Sequence, residues 1–333
     1  MTHRKRIIII SLALINTIVL LWAPFQGMEL ITPSSVWQTG TDSSLLDIFW
    51  KIRVPRVITL FFAGIGLALS GMVFQAMFRN PLATPFTLGV SSGAALGTIV
   101  HMLLPLPFMF WGISLQSLFA FSGALLSIYI VYGLSLLKQG FSSSTMLLAG
   151  VAINFFFSSL ILFLQYLSDL AETFRIVRWL MGGADIVGFQ PLVTAAPFII
   201  LGVGSVFYFR NELNLFTLGD ELALSRGMPV KRVKIILLFI ISLMVGAIVA
   251  VLGPIGFVGM MAPHICRLLT GPDHRTLSVT TLLFGGTFLV LCDTFARTLI
   301  APAEIPVGVI TALLGGPFFL WLLVRNSSAK GFF

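Results

Sequence analysis

Apolar residues run along this chain almost without a break, and polar residues come in short bursts between the runs. About 20 apolar residues are needed to cross the hydrocarbon core of a bilayer as a helix. On that measure the pattern predicts about ten spans, roughly residues 7–25, 54–78, 82–104, 113–137, 145–167, 191–209, 233–253, 256–270, 276–297 and 306–325. The eighth is too short to cross alone and has to tilt or lean on irregular backbone buried within protein. The runs are long and do not alternate, which excludes barrel strands. The largest interruption is Asn211 to Lys234, NELNLFTLGDELALSRGMPVKRVK. Its centre starts with Asp220 and Glu221 and ends with Arg226, which suits the macrodipole of a short helix. Gly227 fits the left-handed position after the last turn, and Pro229 lies just beyond the stop. The pattern therefore predicts a short helix, a tight turn and a basic return, presented as a rigid knob. The plainer reading is a solvated loop between two spans.

Composition agrees with the pattern. Of 333 residues, 57% are hydrophobic and 10% charged, with a mean hydropathy of +1.03. Such a chain is an all-α polytopic membrane protein and not a globular enzyme. The start, Met1-Thr-His-Arg-Lys-Arg6 before an apolar run, resembles a signal peptide, but no A-x-A-like site follows Trp22-Ala-Pro-Phe25. It is read as the first span. Cys266 and Cys292 both fall inside predicted spans and are expected to be small core residues. Basic residues set the orientation. With the N-terminus inside, Arg4, Lys5, Arg6, Arg79, Lys138, Arg210, Arg226, Lys231, Arg232, Lys234, Arg267, Arg275, Arg325 and Lys330 are cytoplasmic. Lys51, Arg53, Arg56, Arg175, Arg178 and Arg297 are then outside, a bias of 14 to 6 among the 20 basic residues. Both termini are expected in the cytoplasm, and the net charge of +8 reflects topology, not nucleic-acid binding.

Two arginines outside stand against that bias. Arg53-Val-Pro-Arg56 opens the second span, with both arginines on one helix face. Snorkelling to lipid headgroups and docking of an acidic partner are the two readings. Asn80-Pro81 and Pro85 argue for a break before the third span. Gly253-Pro254 and Gly259 mark a similar interruption after the seventh. Arg-x-x-Arg, span and Asn80-Pro81 parallel Lys231-Arg232, span and Gly253-Pro254, the first copy starting outside and the second inside. Two halves, about 54–167 and 231–325, in one domain spanning 1–333, fit an inverted-repeat transporter.

No G-x-x-x-x-G-K-[ST] loop occurs, so the chain cannot cradle ATP by itself. His3, His101, His264 and His274 are scattered, with no carboxylate at metal-ligand spacing. Asp293 and Glu304 lie near the outer ends of their helices, whereas an ion-coupled carrier places ionisable groups near the midplane. Energy is expected from outside the chain. A stand-alone carrier or channel is the competing class, and a membrane-embedded enzyme a distant third.

The residues then resemble a known family, the permease subunits of ATP-binding-cassette importers for iron-siderophores and vitamin B12. The resemblance rests on Arg53-Val-Pro-Arg56, Ser70-Gly71 with Gln75, Arg79-Asn-Pro-Leu-Ala83, Leu148-Ala-Gly-Val151 and Gly219-Asp-Glu-Leu-Ala223 with Gly227. It continues through Gly253-Pro-Ile-Gly-Phe-Val-Gly259, Pro263-His264, Asp273-His-Arg275, Asp293 with Arg297, and Glu304-Ile-Pro-Val-Gly308 with Gly315 and Pro317. It implies ten helices, a permease homo- or heterodimer in the bacterial cytoplasmic membrane, two ATPase subunits and an extracytoplasmic binding protein. It implies no catalysis, metal or cofactor in this chain, with ATP and Mg on the partner subunits. By resemblance, Gly219, Asp220, Glu221, Leu222, Ala223, Arg226 and Gly227 form the ATPase-coupling segment within 211–230. Arg53, Arg56 and Arg297 would dock the binding protein, Ser143 and Ser144 would form the cytoplasmic gate, and the fifth and tenth helices would line the pathway. The cargo implied is an iron(III)-siderophore, with cobalamin or haem as alternatives.

Overall fold

The computed structural model describes residues 3–29, 31–37, 43–104, 106, 109–110, 113–183 except 138–142, and 186–326. The chain is all-α. Ten principal helices run in order: α1 (His3–Trp22), α2 (Val54–Phe78), α3 (Val90–Leu103), α4 (Leu115–Leu137), α5 (Ser143–Leu167), α6 (Gln190–Tyr208), α7 (Val230–Leu252), α8 (Val258–Thr270), α9 (His274–Thr298) and α10 (Val307–Asn326). Among the described residues, seven helices are long and apolar enough to cross a membrane, and Val90–Leu103 and Val307–Leu322 are shorter apolar helices. Two-residue strands, β1 (Met109–Phe110) and β2 (Ile113–Ser114), pair antiparallel between α3 and α4.

The expected spans reappear with one large shift, since the third helix starts at Val90 and not near residue 82. Arg79 takes a left-handed cap at φ 48°, and the Asn80 amide returns to the Gln75 carbonyl at 3.2 Å. Pro81 and Pro85 then keep the chain from resuming a helix until Val90, because a proline disfavours helical geometry in the residue before it. The matching interruption after α7 runs through Gly253 and Pro254 to Phe257, whose φ is 66°. These two breaks meet. Thr84–Thr87 and Ile255–Phe257 line one cavity of about 180 Å³, closed by Leu67, Ser70, Gly259 and Met260.

Helix α2 is the centre of the molecule. The helical stretch Ser43–Phe78 that contains it has 83% of its most apolar window buried, more than any other span. It packs on α9, α8 and α6. Close approach is achieved with glycine pairs, as small residues permit between helices in lipid. Gly64 faces the Gly285 backbone on α9, and Gly71 faces the Gly259 backbone on α8. A Cβ at either α2 position would collide with a main-chain atom, which cannot move aside as a side-chain tip can. On the other side, α3 packs on α4 through Gly93 and Gly123, and both contact α7. Helix α1 is peripheral and lies mainly along α9.

Candidate functional site

Three sites stand out: a knob at one face of the bundle, a charged cluster at the opposite face and an apolar cleft beside α10.

The polar stretch builds two short helices, Arg210–Leu218 and Asp220–Ser225, before α7 begins at Val230. The second lies within a residue of the helix expected from sequence, and Gly227 takes φ 79° just after it. The first was not expected. Leu213 and Phe216, three apart, are fully buried under it and were the available signal. Gly219 joins the two at φ 109°, a conformation that side chains rarely adopt, and the Arg79 guanidinium lies 3.1 Å from where its Cβ would stand. The knob is anchored from below. Lys234 is 3% exposed by side chain, pairs with Asp220 at 2.6 Å and lies over the Phe216 ring at 5.6 Å. Ala223 is buried, whereas Glu221, Leu222, Arg226 and Gly227 face outward. Leu222 and Leu224 are 55% and 57% exposed. The knob thus offers leucines framed by an acid and a base on a rigid base. A segment built from two helices and held in this way is not a plain solvated loop.

The knob is also tied sideways to the foot of α9. Asn214 donates from Nδ2 to Asp273 Oδ1 at 2.8 Å, and its Oδ1 lies 2.8 Å from the His274 amide and 2.9 Å from His274 Nδ1. Arg275 Nε donates to Asn211 Oδ1 at 2.9 Å. Burial works to raise the Asp273 carboxyl. The hydrogen bonds from Asn214 and the Arg275 amide, with the charges of Arg275 and Lys5, outweigh it and hold the group below the usual carboxylate range. A depressed carboxylate contributes stability above its unfolded pKa and loses it only as pH falls through the folded one, so this joint stays charged throughout the neutral range.

At the far face, Asp293 is 1% exposed and serves two cations. Arg56 donates to it from Nη2 at 2.8 Å and from Nε at 3.1 Å, and Arg297 Nε lies 3.3 Å from its second oxygen. Arg56 Nη1 also donates to Glu304 at 2.8 Å. The remaining guanidinium donors hold the main chain after α1. Arg297 donates to the carbonyls of Ala23 at 2.9 Å and Gln26 at 2.8 Å, and Arg53 to those of Phe25 at 3.2 Å and Glu29 at 2.6 Å. The sequence reading gave Arg53 and Arg56 to snorkelling or docking and counted Arg297 as a docking residue, and the structure corrects the exposure that those readings need. All three are buried, with carboxylates and carbonyls of their own chain taking most of their donors, while Arg297 Nε lies beside Asp293 without a hydrogen bond. Three guanidinium groups share this cluster with Asp293 and Glu304, and the Glu29 carboxylate adds its charge beside Arg53.

A cleft of about 480 Å³ opens beside α10, lined by Leu180, Met181, Pro254, Gly308, Val309, Ala312, Leu313 and Pro317. Its wall includes the end of a further helix, Leu170–Leu180, which lies between the expected spans 145–167 and 191–209. Asp169 caps that helix by accepting from the Glu172 amide at 2.7 Å, a D-x-x-E signal visible in the sequence. The Gly183 amide donates to the Leu252 carbonyl at 3.0 Å and the Gly308 amide to the Gly182 carbonyl at 3.1 Å, which fixes the wall to both neighbours. Ser143 and Ser144 open α5, and their side chains lie outside the described residues. Among the described residues, no three His, Cys, Asp or Glu side chains gather as a metal site.

Comparison with known proteins brings these sites together. Residues 13–325 match the FecCD transport family. The chain is 39% identical over 329 residues to the hemin transport system permease protein HmuU of Yersinia pestis, covering 98% of each. It is 39% identical over 286 residues to the cobalamin import system permease protein BtuC of Halobacterium salinarum, covering 86% of this chain and 76% of that one. A solved structure described as a metal-chelate type ABC transporter in an inward-facing conformation superposes with a TM-score of 0.84. It is 31% identical, and the match covers 96% of this chain and 99% of the other.

Proposed function

Since the chain belongs to the FecCD transport family and is a permease of the ABC importer class for metal chelates, we propose that it carries iron(III)-siderophore chelates inward across the cytoplasmic membrane. Cobalamin and haem are the alternative cargoes. In this reading the knob faces the cytoplasm and seats on two ATPase subunits, a second permease subunit completes the pathway, and a binding protein delivers cargo at the far face. The knob carries the reading: its exposed Leu222 and Leu224, between Glu221 and Arg226, sit on a base pinned by Lys234 and Asn214. Such a surface transmits force instead of yielding. The chain has no phosphate-binding loop of its own, so hydrolysis belongs to the partners.

The apolar cleft beside α10 supports a route for a bulky ligand held without formal charge, as small-molecule sites usually are. Ser143 and Ser144 are proposed as the gate at its cytoplasmic end. Docking of an acidic binding protein is proposed at the rim of the arginine cluster. The contacts of Arg53, Arg56 and Arg297 with their own chain keep these groups in place at that rim. The inverted halves, about 54–167 and 231–325, are likewise a proposal, motivated by the two breaks that share a cavity.

The test is purification of the chain with the ATPase subunits that accompany it, followed by uptake of ferric hydroxamate, ferric catecholate, cyanocobalamin and hemin in reconstituted vesicles. Uptake of a ferric siderophore supports the full reading. Preference for cyanocobalamin or hemin keeps the importer and changes the cargo. Uptake with no ATPase bound overturns the importer reading in favour of a stand-alone carrier.

A further inference from the structure

Helix α9 touches both functional faces. It is a single 25-residue helix without proline, so it spans about 37 Å. At its foot, Asp273 and His274 are held by Asn214 of the knob. At its head, Asp293 and Arg297 hold Arg56 and the main chain that follows α1. Between these ends it lies against α2, where Gly285 meets Gly64 and Gly286 meets Phe61, too close for either helix to rotate freely. Helix α1 rides on the same strut and is fastened at its end by Arg297.

Among the described residues the knob is tied to α9 by polar contacts at Asn214 and Asn211, and its first helix packs on both α9 and α2. Asn214 uses its amide nitrogen on Asp273 and its oxygen on the His274 amide and ring. The second tie, Arg275 to Asn211, is exposed, and solvent-exposed polar contacts hold geometry weakly. We infer that Asn214 is a positioning residue that joins the knob to α9, so that displacement of the knob is delivered to the Arg56–Asp293–Arg297 cluster at the opposite face. The inference rests on the proposed seating of the knob on ATPase subunits. Its basis is spatial: one uninterrupted helix contacts the knob at its foot and the arginine cluster at its head, and the labelling experiment supplies the coupling evidence.

The test places the readout at the far face. Ala303, one residue from Glu304, is exposed, so Ala303→Cys can be labelled from outside by a membrane-impermeant maleimide. Cys266 and Cys292 are buried and stay unlabelled. In the complex with its ATPase subunits, the labelling rate should differ several-fold between the nucleotide-free and the vanadate-trapped ATP state. Asn214→Ala and Asn214→Asp should abolish that difference while the ATPases still bind. Adding Asp273→Asn to Asn214→Asp should restore it, because position 273 then donates where position 214 accepts. If the chain binds no ATPase, the proposed function fails before the inference is reached. With the ATPase bound, a rate blind to nucleotide in the parent, or a difference that survives in Asn214→Asp, overturns the inference. Where the single variants do not assemble, the double variant decides: a difference like the parent's supports the joint, and its loss refutes it.

Discussion

Asp293 is the side chain on which the far face depends most, because two buried guanidinium groups lean on one carboxylate. Removing one partner of a buried pair leaves an uncompensated charge and costs about 3–5 kcal/mol. Asp293→Asn should therefore lower the thermal unfolding midpoint in detergent by several degrees, and adding Arg297→Leu should recover part of the loss. A midpoint unchanged by Asp293→Asn would show that the arginines are satisfied without it. The same burial changes what an arginine substitution measures. Arg56→Glu would face Asp293 and Glu304 directly, so it should reduce the yield of folded protein before any effect on docking can be read. Asp293 and Arg297 stand four apart on one helix, a spacing that puts such residues side by side. That spacing did not show that Arg56 reaches Asp293, 237 residues away, since nothing local encodes that contact. Arginines that look like exposed cations in a sequence are indistinguishable from arginines enclosed by carbonyls of a distant loop.

Elements were legible wherever hydrophobic length or helix-stop chemistry decided them. The principal helices follow from apolar runs, and the knob's second helix follows from Asp220, Glu221 and Gly227. Segments held by tertiary contacts were less legible. Helix Arg210–Leu218 is short and polar, and it forms because Leu213 and Phe216 have a core to enter. Helix Leu170–Leu180 carried a cap signal that was masked by its position between two spans. Close helix contact depends on glycines that composition alone cannot rank. Gly71→Ala should destabilise the protein by about 1–3 kcal/mol, as overpacking does, because the added methyl meets the Gly259 main chain. Gly133→Ala is the matched control, with nothing within 4 Å of the added atom. Thermal unfolding of the two variants side by side checks this, and equal midpoints would contradict the assigned packing of α2 on α8.

The whole molecule is a set of helices arranged around α2, with the knob at one face, the arginine cluster at the other and α9 reaching both. Hydropathy gave away the class and the spans. The sequence did not single out a cargo, and the residues lining the cleft beside α10 are apolar side chains, glycine and prolines. At this scale the proposed function is tested at the knob. Leu222→Asp with Leu224→Asp should weaken ATPase binding more than about tenfold, the loss of a hot spot worth 1.4 kcal/mol or more. Glu221→Ala with Arg226→Ala should lower transport and ATPase stimulation while the fold persists. Pull-down of the ATPase subunits and circular dichroism of the same samples separate these effects.

The most direct measurement is uptake by sealed vesicles that hold the permease with its ATPase subunits, with ATP supplied on the knob side and ferric siderophore with its binding protein on the other. The account expects accumulation that requires ATP, persists when ion gradients are collapsed, and disappears in the Leu222→Asp, Leu224→Asp variant. Accumulation that ignores ATP and follows an ion gradient would contradict it.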